Sequence, residues 1–110
     1  MTSVIFHVDR FDDWGLVLTN VRNFLNEVPD AKIEVLANSS AVAFFAAPKL
    51  ELEEQWQSLA EDGVDIVACN NALSGFGLTE DDLGPGVRIV PAGVVELAQK
   101  QDSGYGYIKP

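Results

Sequence analysis

A chain of 110 residues holds one domain with a single core and is too short for two. Its hydrophobic content of 47% is that of a globular protein, which argues against disorder. Seven Lys and Arg against seventeen Asp and Glu give a net charge of −10, with the cations scattered from Arg10 to Lys109, so the basic stripe that nucleic-acid binding needs is missing.

The longest apolar runs, such as Ala41–Ala47, fall far short of the roughly 20 residues that cross a bilayer. The opening Met1–Asp9 carries no basic leader and does not read as a signal peptide, so cytoplasmic residence is expected. The single cysteine, Cys69, allows neither an intrachain disulfide nor a Cys-x-x-Cys pair. With one histidine beside it, nothing recommends a metal, and no cofactor is expected.

Val4–Val8 is rich in β-branched and aromatic residues and reads as a strand buried on both faces. Asp12 or Asp13 is placed to cap the helix that follows. Its apolar residues Trp14, Val17, Leu18, Val21, Phe24, Leu25 and Val28 keep to one stripe, and Pro29-Asp30 ends it. Lys32–Ala37 is a second strand, and Asn38-Ser39-Ser40 offers N-cap side chains to a short apolar helix through Phe45, which Pro48 breaks.

Leu52, Trp56 and Leu59 mark a helix over 52–62, with Gly63 at its C-terminal turn. Val64–Cys69 is the third strand. Asn70–Leu73 starts a helix ended by Gly75-Phe76-Gly77, and Thr79 with Asp82 forms an acidic capping box. Val87–Val90 is the fourth strand. Pro91 then starts a helix whose inner face is Val94, Val95, Leu97 and Ala98. Tyr105–Ile108 closes as a short fifth strand. The alternation of strands and helices predicts an α/β domain whose five-stranded sheet is parallel or mostly parallel, with helices on both faces.

Sites in such sheets lie outside the carboxyl ends of the strands. His7-Val8-Asp9, Asn38-Ser39-Ser40, Cys69-Asn70-Asn71 and Pro91-Ala92-Gly93 stand there, and Cys69 is the one strong nucleophile among them. Where a strand hands over to a helix, free amides and the helix dipole stabilise a thiolate or a persulfide. The alternative is that Cys69 is a small buried hydrophobe and His7 a self-satisfied core imidazole. Asp9, Asp12 and Asp13 suggest a phosphoacceptor domain, but the third strand ends in Cys69 where that chemistry needs an aspartate. The glycines of Gly75-Phe76-Gly77 and Gly84-Pro85-Gly86 are turn residues, because neither motif opens a helix after a strand.

The joint order of several segments resembles the DsrE/DsrF-like family, in particular a branch of short single-domain members. Those segments are Val4–Val8, Asn20–Leu25, Ile33–Asn38, Gly63–Asn71, Val90–Leu97 and Gln101–Pro110. The resemblance implies a three-layer α/β/α fold, a homo-oligomer (trimer or hexamer), and a cysteine after the third strand that carries sulfane sulfur between donor and acceptor proteins. Cys69 occupies that place, followed by Asn70-Asn71, where this chain departs from the relay subunits.

Two functions follow as expectations. The first is an intracellular sulfur carrier with Cys69 as its reactive residue. The second is a non-catalytic oligomeric module in which His7, Asn38, Asn70 and Asn71 line a binding site and Cys69 is packing. Trp56, Phe44, Phe45, Phe76, Tyr105 and Tyr107 are the aromatic residues expected to exceed what so small a core can bury, and so to form subunit contacts.

Overall fold

Strands that are apolar on both faces avoid water only between two layers of helix. In the computed structural model, which describes residues 1–110, the strands are β1 (Ser3–Val8), β2 (Lys32–Ala37), β3 (Asp65–Cys69), β4 (Val87–Val90) and β5 (Gly106–Ile108). They form one sheet in the order β4-β3-β2-β1-β5, and every neighbouring pair is parallel. The helices are α1 (Trp14–Glu27), α2 (Leu50–Glu61), α3 (Asn70–Gly75) and α4 (Gly93–Asp102). None is long and apolar enough to cross a membrane.

The handedness of parallel crossovers decides where each helix lies. Three steps from β1 to β4 run in one direction, so α1, α2 and α3 fall on one face; the return from β4 to β5 puts α4 on the other. The first face holds a core of twenty buried residues, among them Trp14, Val17, Leu18 and Val21 of α1, Trp56 and Leu59 of α2, and Leu73 of α3. Trp14 stacks on Phe44 with ring centroids 4.6 Å apart, and its indole N–H donates to the Ala41 carbonyl at 2.9 Å. The α4 face holds only five: Ile5, Leu36, Val67, Val90 and Leu97.

Several local expectations change. The apolar stretch after Asn38 is a 3-10 helix, Ser39–Phe45, and not an α-helix. Neither Asp12 nor Asp13 caps α1: a 3-10 turn, Phe11–Asp13, leads into it, and no side chain makes a cap hydrogen bond. Gly63 adopts the expected left-handed conformation at φ 97°. The capping box is present, with the Thr79 N–H donating to Asp82 Oδ2 at 2.8 Å.

The largest correction concerns α4. Pro91 precedes it and Gly93 is its first residue. Val94 and Val95 face outward, 66% and 50% exposed, while Gly93, Glu96 and Leu97 are buried against the sheet. A buried glutamate displaces two valines because Arg88 of β4 lies under that turn and reaches Glu96 Oε2 at 2.9 Å. Of the six aromatic residues expected at subunit contacts, Trp56, Phe44 and Phe45 are absorbed by the core. Phe76 and Tyr107 remain exposed and Tyr105 half-buried.

The orientation of α4 is checked by two truncations. Leu97→Ala is expected to cost about 2–3 kcal/mol in urea denaturation, and Val94→Ala under about 0.5 kcal/mol. Equal costs would mean that the helix is rotated from the position described.

Candidate functional site at the ends of β3 and β4

The chain leaves β3 toward the α3 side of the sheet and leaves β4 toward the α4 side. Adjacent strands whose connections diverge open a crevice at their carboxyl ends. Cys69, the last residue of β3, stands in it and pairs in register with Val90.

Cys69 is 6% exposed. The Gly93 N–H, at the first turn of α4, donates to its Sγ at 3.2 Å. That amide is one of the four that an α-helix cannot satisfy itself, and the sulfur supplies its acceptor. The approach depends on glycine. A Cβ built on Gly93 would lie 3.0 Å from Leu36 Cδ1, 3.1 Å from Cys69 Cβ and 3.3 Å from Asn38 Cβ. The last two atoms are Cβ atoms held by the backbone, so a side chain here would require a shift of a few tenths of an ångström in the strand ends.

Asn38 stands beside Cys69, since β2 and β3 are in register through Ala37 and Ala68. It does not cap the 3-10 helix that follows. Its Oδ1 instead lies 2.8 Å from His7 Nε2, and His7 Nδ1 lies 2.6 Å from the Tyr107 hydroxyl. With Oδ1 as acceptor, Nε2 carries the imidazole proton and Nδ1 accepts from Tyr107, so both ring nitrogens are satisfied. Ser39, directly after Asn38, holds the left-handed backbone at φ 50°, which turns the chain away from the rim.

The fold thus gathers Cys69, Asn38 and His7 at one end of the sheet. Asn70 and Asn71 are exposed at the start of α3, where their side chains make no hydrogen bond within the chain. The Asn71 N–H donates to the Pro91 carbonyl at 3.3 Å and ties the two lips of the crevice. Two contributors were not assigned to the site from the sequence. Gly93 was placed at a strand end without a role of its own, and Tyr107 was expected at a subunit contact.

Charge is disposed on both sides of this centre. Lys109 Nζ lies 3.1 Å from Asp9 Oδ1, and the lysine's contact holds that carboxyl below its ordinary range. Under α4, Arg88 Nη2 meets Asp65 Oδ2 at 2.8 Å, Glu96 Oε2 at 2.9 Å and Glu34 Oε1 at 3.4 Å. Glu34 is 1% exposed, and its Oε2 has no hydrogen-bond donor. Burial first, and then the adjacent Glu96, push its carboxyl up to about 8. Glu96 moves the other way. Burial alone would raise it, but hydrogen bonding with Glu34 and Arg88 outweighs that and holds it below its ordinary range. The larger grooves lie elsewhere; one of about 540 Å³, lined by Thr19, Arg22, Glu54 and Ser58 among others, runs between α1 and α2.

Comparison with known proteins agrees with this architecture. The model of the DsrE/DsrF-like family matches residues 13–110. The structure of MTH1491, a protein of unknown function from Methanobacterium thermoautotrophicum, is 33% identical, covers 100% of both chains and superposes with a TM-score of 0.92. The ychN protein from E. coli is 17% identical over 100% of both chains, with a TM-score of 0.86. BT1422 from Bacteroides thetaiotaomicron, a conserved protein of unknown function, is 16% identical over 98% of this chain and 94% of its own, with a TM-score of 0.74. The last two likenesses speak to the fold alone. No curated protein matches the chain.

Gly93→Ala tests the crevice. The added methyl has no room, and a loss of about 1–3 kcal/mol is expected in chemical denaturation. Gly93→Ala should also change the alkylation rate of Cys69 relative to the parent. A variant as stable as the parent, with unchanged thiol reactivity, would show that Gly93 does not set the spacing.

Proposed function

The chain belongs to the DsrE/DsrF-like family, and from that premise we propose that it is an intracellular sulfur carrier whose persulfide forms on Cys69. The observation that carries this reading is the Gly93 N–H directed at Cys69 Sγ from the first turn of α4. The Cys69 thiolate attacks the outer sulfur of a donor persulfide. A new S–S bond forms, the donor's S–S bond breaks, and the donor leaves as a thiolate. An acceptor thiolate then attacks the outer sulfur now on Cys69, takes it, and returns Cys69 as a thiolate. Electrons balance in both steps, so no cofactor or external oxidant is needed.

The surroundings suit that chemistry. The chain His7–Asn38–Tyr107 keeps the neighbouring amide in one orientation at the rim. The partners in this reading are a sulfur donor protein, an acceptor protein and further copies of the chain, as a trimer or hexamer. Exposed Val94, Val95, Phe76 and Tyr107 support self-association. The charge of −10 speaks against nucleic acid.

A second reading, a non-catalytic oligomeric binding module, is favoured by one observation: Cys69 is only 6% exposed. Incubation with polysulfide followed by intact mass separates the two. The parent is expected to gain about 32 Da, one sulfur atom, reversible by a small thiol, and Cys69→Ser to gain nothing. No adduct on the parent, or an equal one on Cys69→Ser, would reject the carrier reading.

A further inference from the structure

The cluster under α4 has an imbalance that the carrier reading does not use. Three carboxyls, of Glu34 on β2, Asp65 on β3 and Glu96 on α4, share two cations, Arg88 of β4 and Lys100 of α4. Lys100 reaches Glu34 Oε1 only at 3.5 Å and lies 5.0 Å over the Tyr105 ring, the remaining polar neighbour, which precedes β5. Arg88 Nη2 reaches all three carboxyls and Nε also donates to Asp65 at 3.3 Å, yet three carboxylates against two cations balance only when one of them keeps its proton. Asp65 is 42% exposed at its side chain and is solvated; Glu34 is almost wholly buried, and its Oε2 is left without a donor. An orphaned oxygen on a buried carboxyl beside a second carboxyl is the place for a shared proton.

From this geometry we infer that α4 is a pH-sensitive cover, clasped to the sheet by a proton shared between Glu34 and Glu96, whose loss lets the helix lift and uncovers Cys69. Besides that proton, α4 is held by the Arg88–Glu96 pair at 2.9 Å, the Lys100–Glu34 contact at 3.5 Å and a small apolar patch. The apolar patch beneath contains five residues, to which α4 contributes only Leu97. Gly93, which donates to Cys69 Sγ, belongs to the same helix, so lifting removes that donor and opens the crevice together. The clasp does not depend on sulfur transfer; it would gate whatever Cys69 does.

The sign follows from the two glutamates. Glu34 ionises near 8 in the docked state against an ordinary 4.5 when freed, so the docked helix holds a proton that the freed one releases. Docking is therefore strongest below 4.5 on this account and weakens progressively as pH rises toward 8. Glu96, held low, acts in the opposite sense and only on the acid side of the carboxylate range, so it does not offset the alkaline loss.

Hydrogen exchange of the whole protein between about pH 6.5 and 9.5, each amide divided by its intrinsic rate, reads the clasp directly. Protection of the α4 amides is expected to fall about thirtyfold across that range, while the α1 amides stay constant. Glu34→Gln keeps the volume without the ionisation and should hold α4 flat. Glu96→Gln removes the neighbouring charge but leaves Glu34 buried, so the fall should become smaller without vanishing, and the test survives if Glu34→Gln fails to fold. Flat α4 protection in the parent would overturn the inference. So would an undiminished fall in either variant, or one shared by α1. Sulfur loading is not among these readouts, so failure of the clasp and failure of the carrier reading remain distinct.

Discussion

A parallel sheet whose crossovers are all right-handed must send its helices to whichever side the direction of travel dictates. Here three steps run one way and the fourth returns across the whole sheet, so the layers are unequal: three helices on one side and α4 alone on the other. That single reversal opens the crevice between β3 and β4 that holds Cys69. It also leaves a face too wide for one ten-residue helix to fill with apolar side chains. The rest of that face is occupied by Glu34, Asp65 and Arg88, and the helix meets them with Glu96 and Lys100.

The site combines two kinds of constraint. At the sulfur, the first turn of α4 comes close enough for a backbone N–H to reach Sγ, an approach that a Cβ on residue 93 would crowd. At the rim, His7, Asn38 and Tyr107 satisfy one another in series across β1, β2 and β5. The first arrangement gives the sulfur a fixed donor and the second fixes a polar group beside it. The low exposure of Cys69 and a role in group transfer are compatible if the covering helix moves, and α4 adds only Leu97 to the apolar cluster beneath it.

Much of the fold was legible because local pattern and tertiary role coincide. The stripe from Trp14 to Val21 and the pair Trp56 and Leu59 are buried as their spacing predicts, and strand-end reasoning brought Cys69, His7 and Asn38 to the same edge. Two of the failures share a cause, a partner on another element. In α4 the apolar choice of Val94 and Val95 was locally reasonable. An ion pair to Arg88 and a buried carboxyl on β2 decide otherwise, and neither leaves a trace in helical periodicity. Asn38 was expected to cap the next helix, yet its carbonyl oxygen is taken by His7, whose other nitrogen is held by Tyr107, a hundred residues along the chain. Asp12 and Asp13 have the right chemistry for a cap, but the 3-10 turn places the start of α1 where neither makes that bond.

The aromatic cluster of the larger layer has an optical consequence. Both tryptophans, Trp14 and Trp56, lie with Phe44 and Phe45 in one assembly, with ring centroids 4.6 to 6.1 Å apart. Both tyrosines lie apart from it: Tyr105 packs against the small cluster beneath α4, and Tyr107 is bonded to His7. Indole emission therefore watches the three-helix side, and phenol excitation on the one-helix side reaches it by energy transfer across the sheet. The molecule carries a separate natural chromophore for each layer of its sheet.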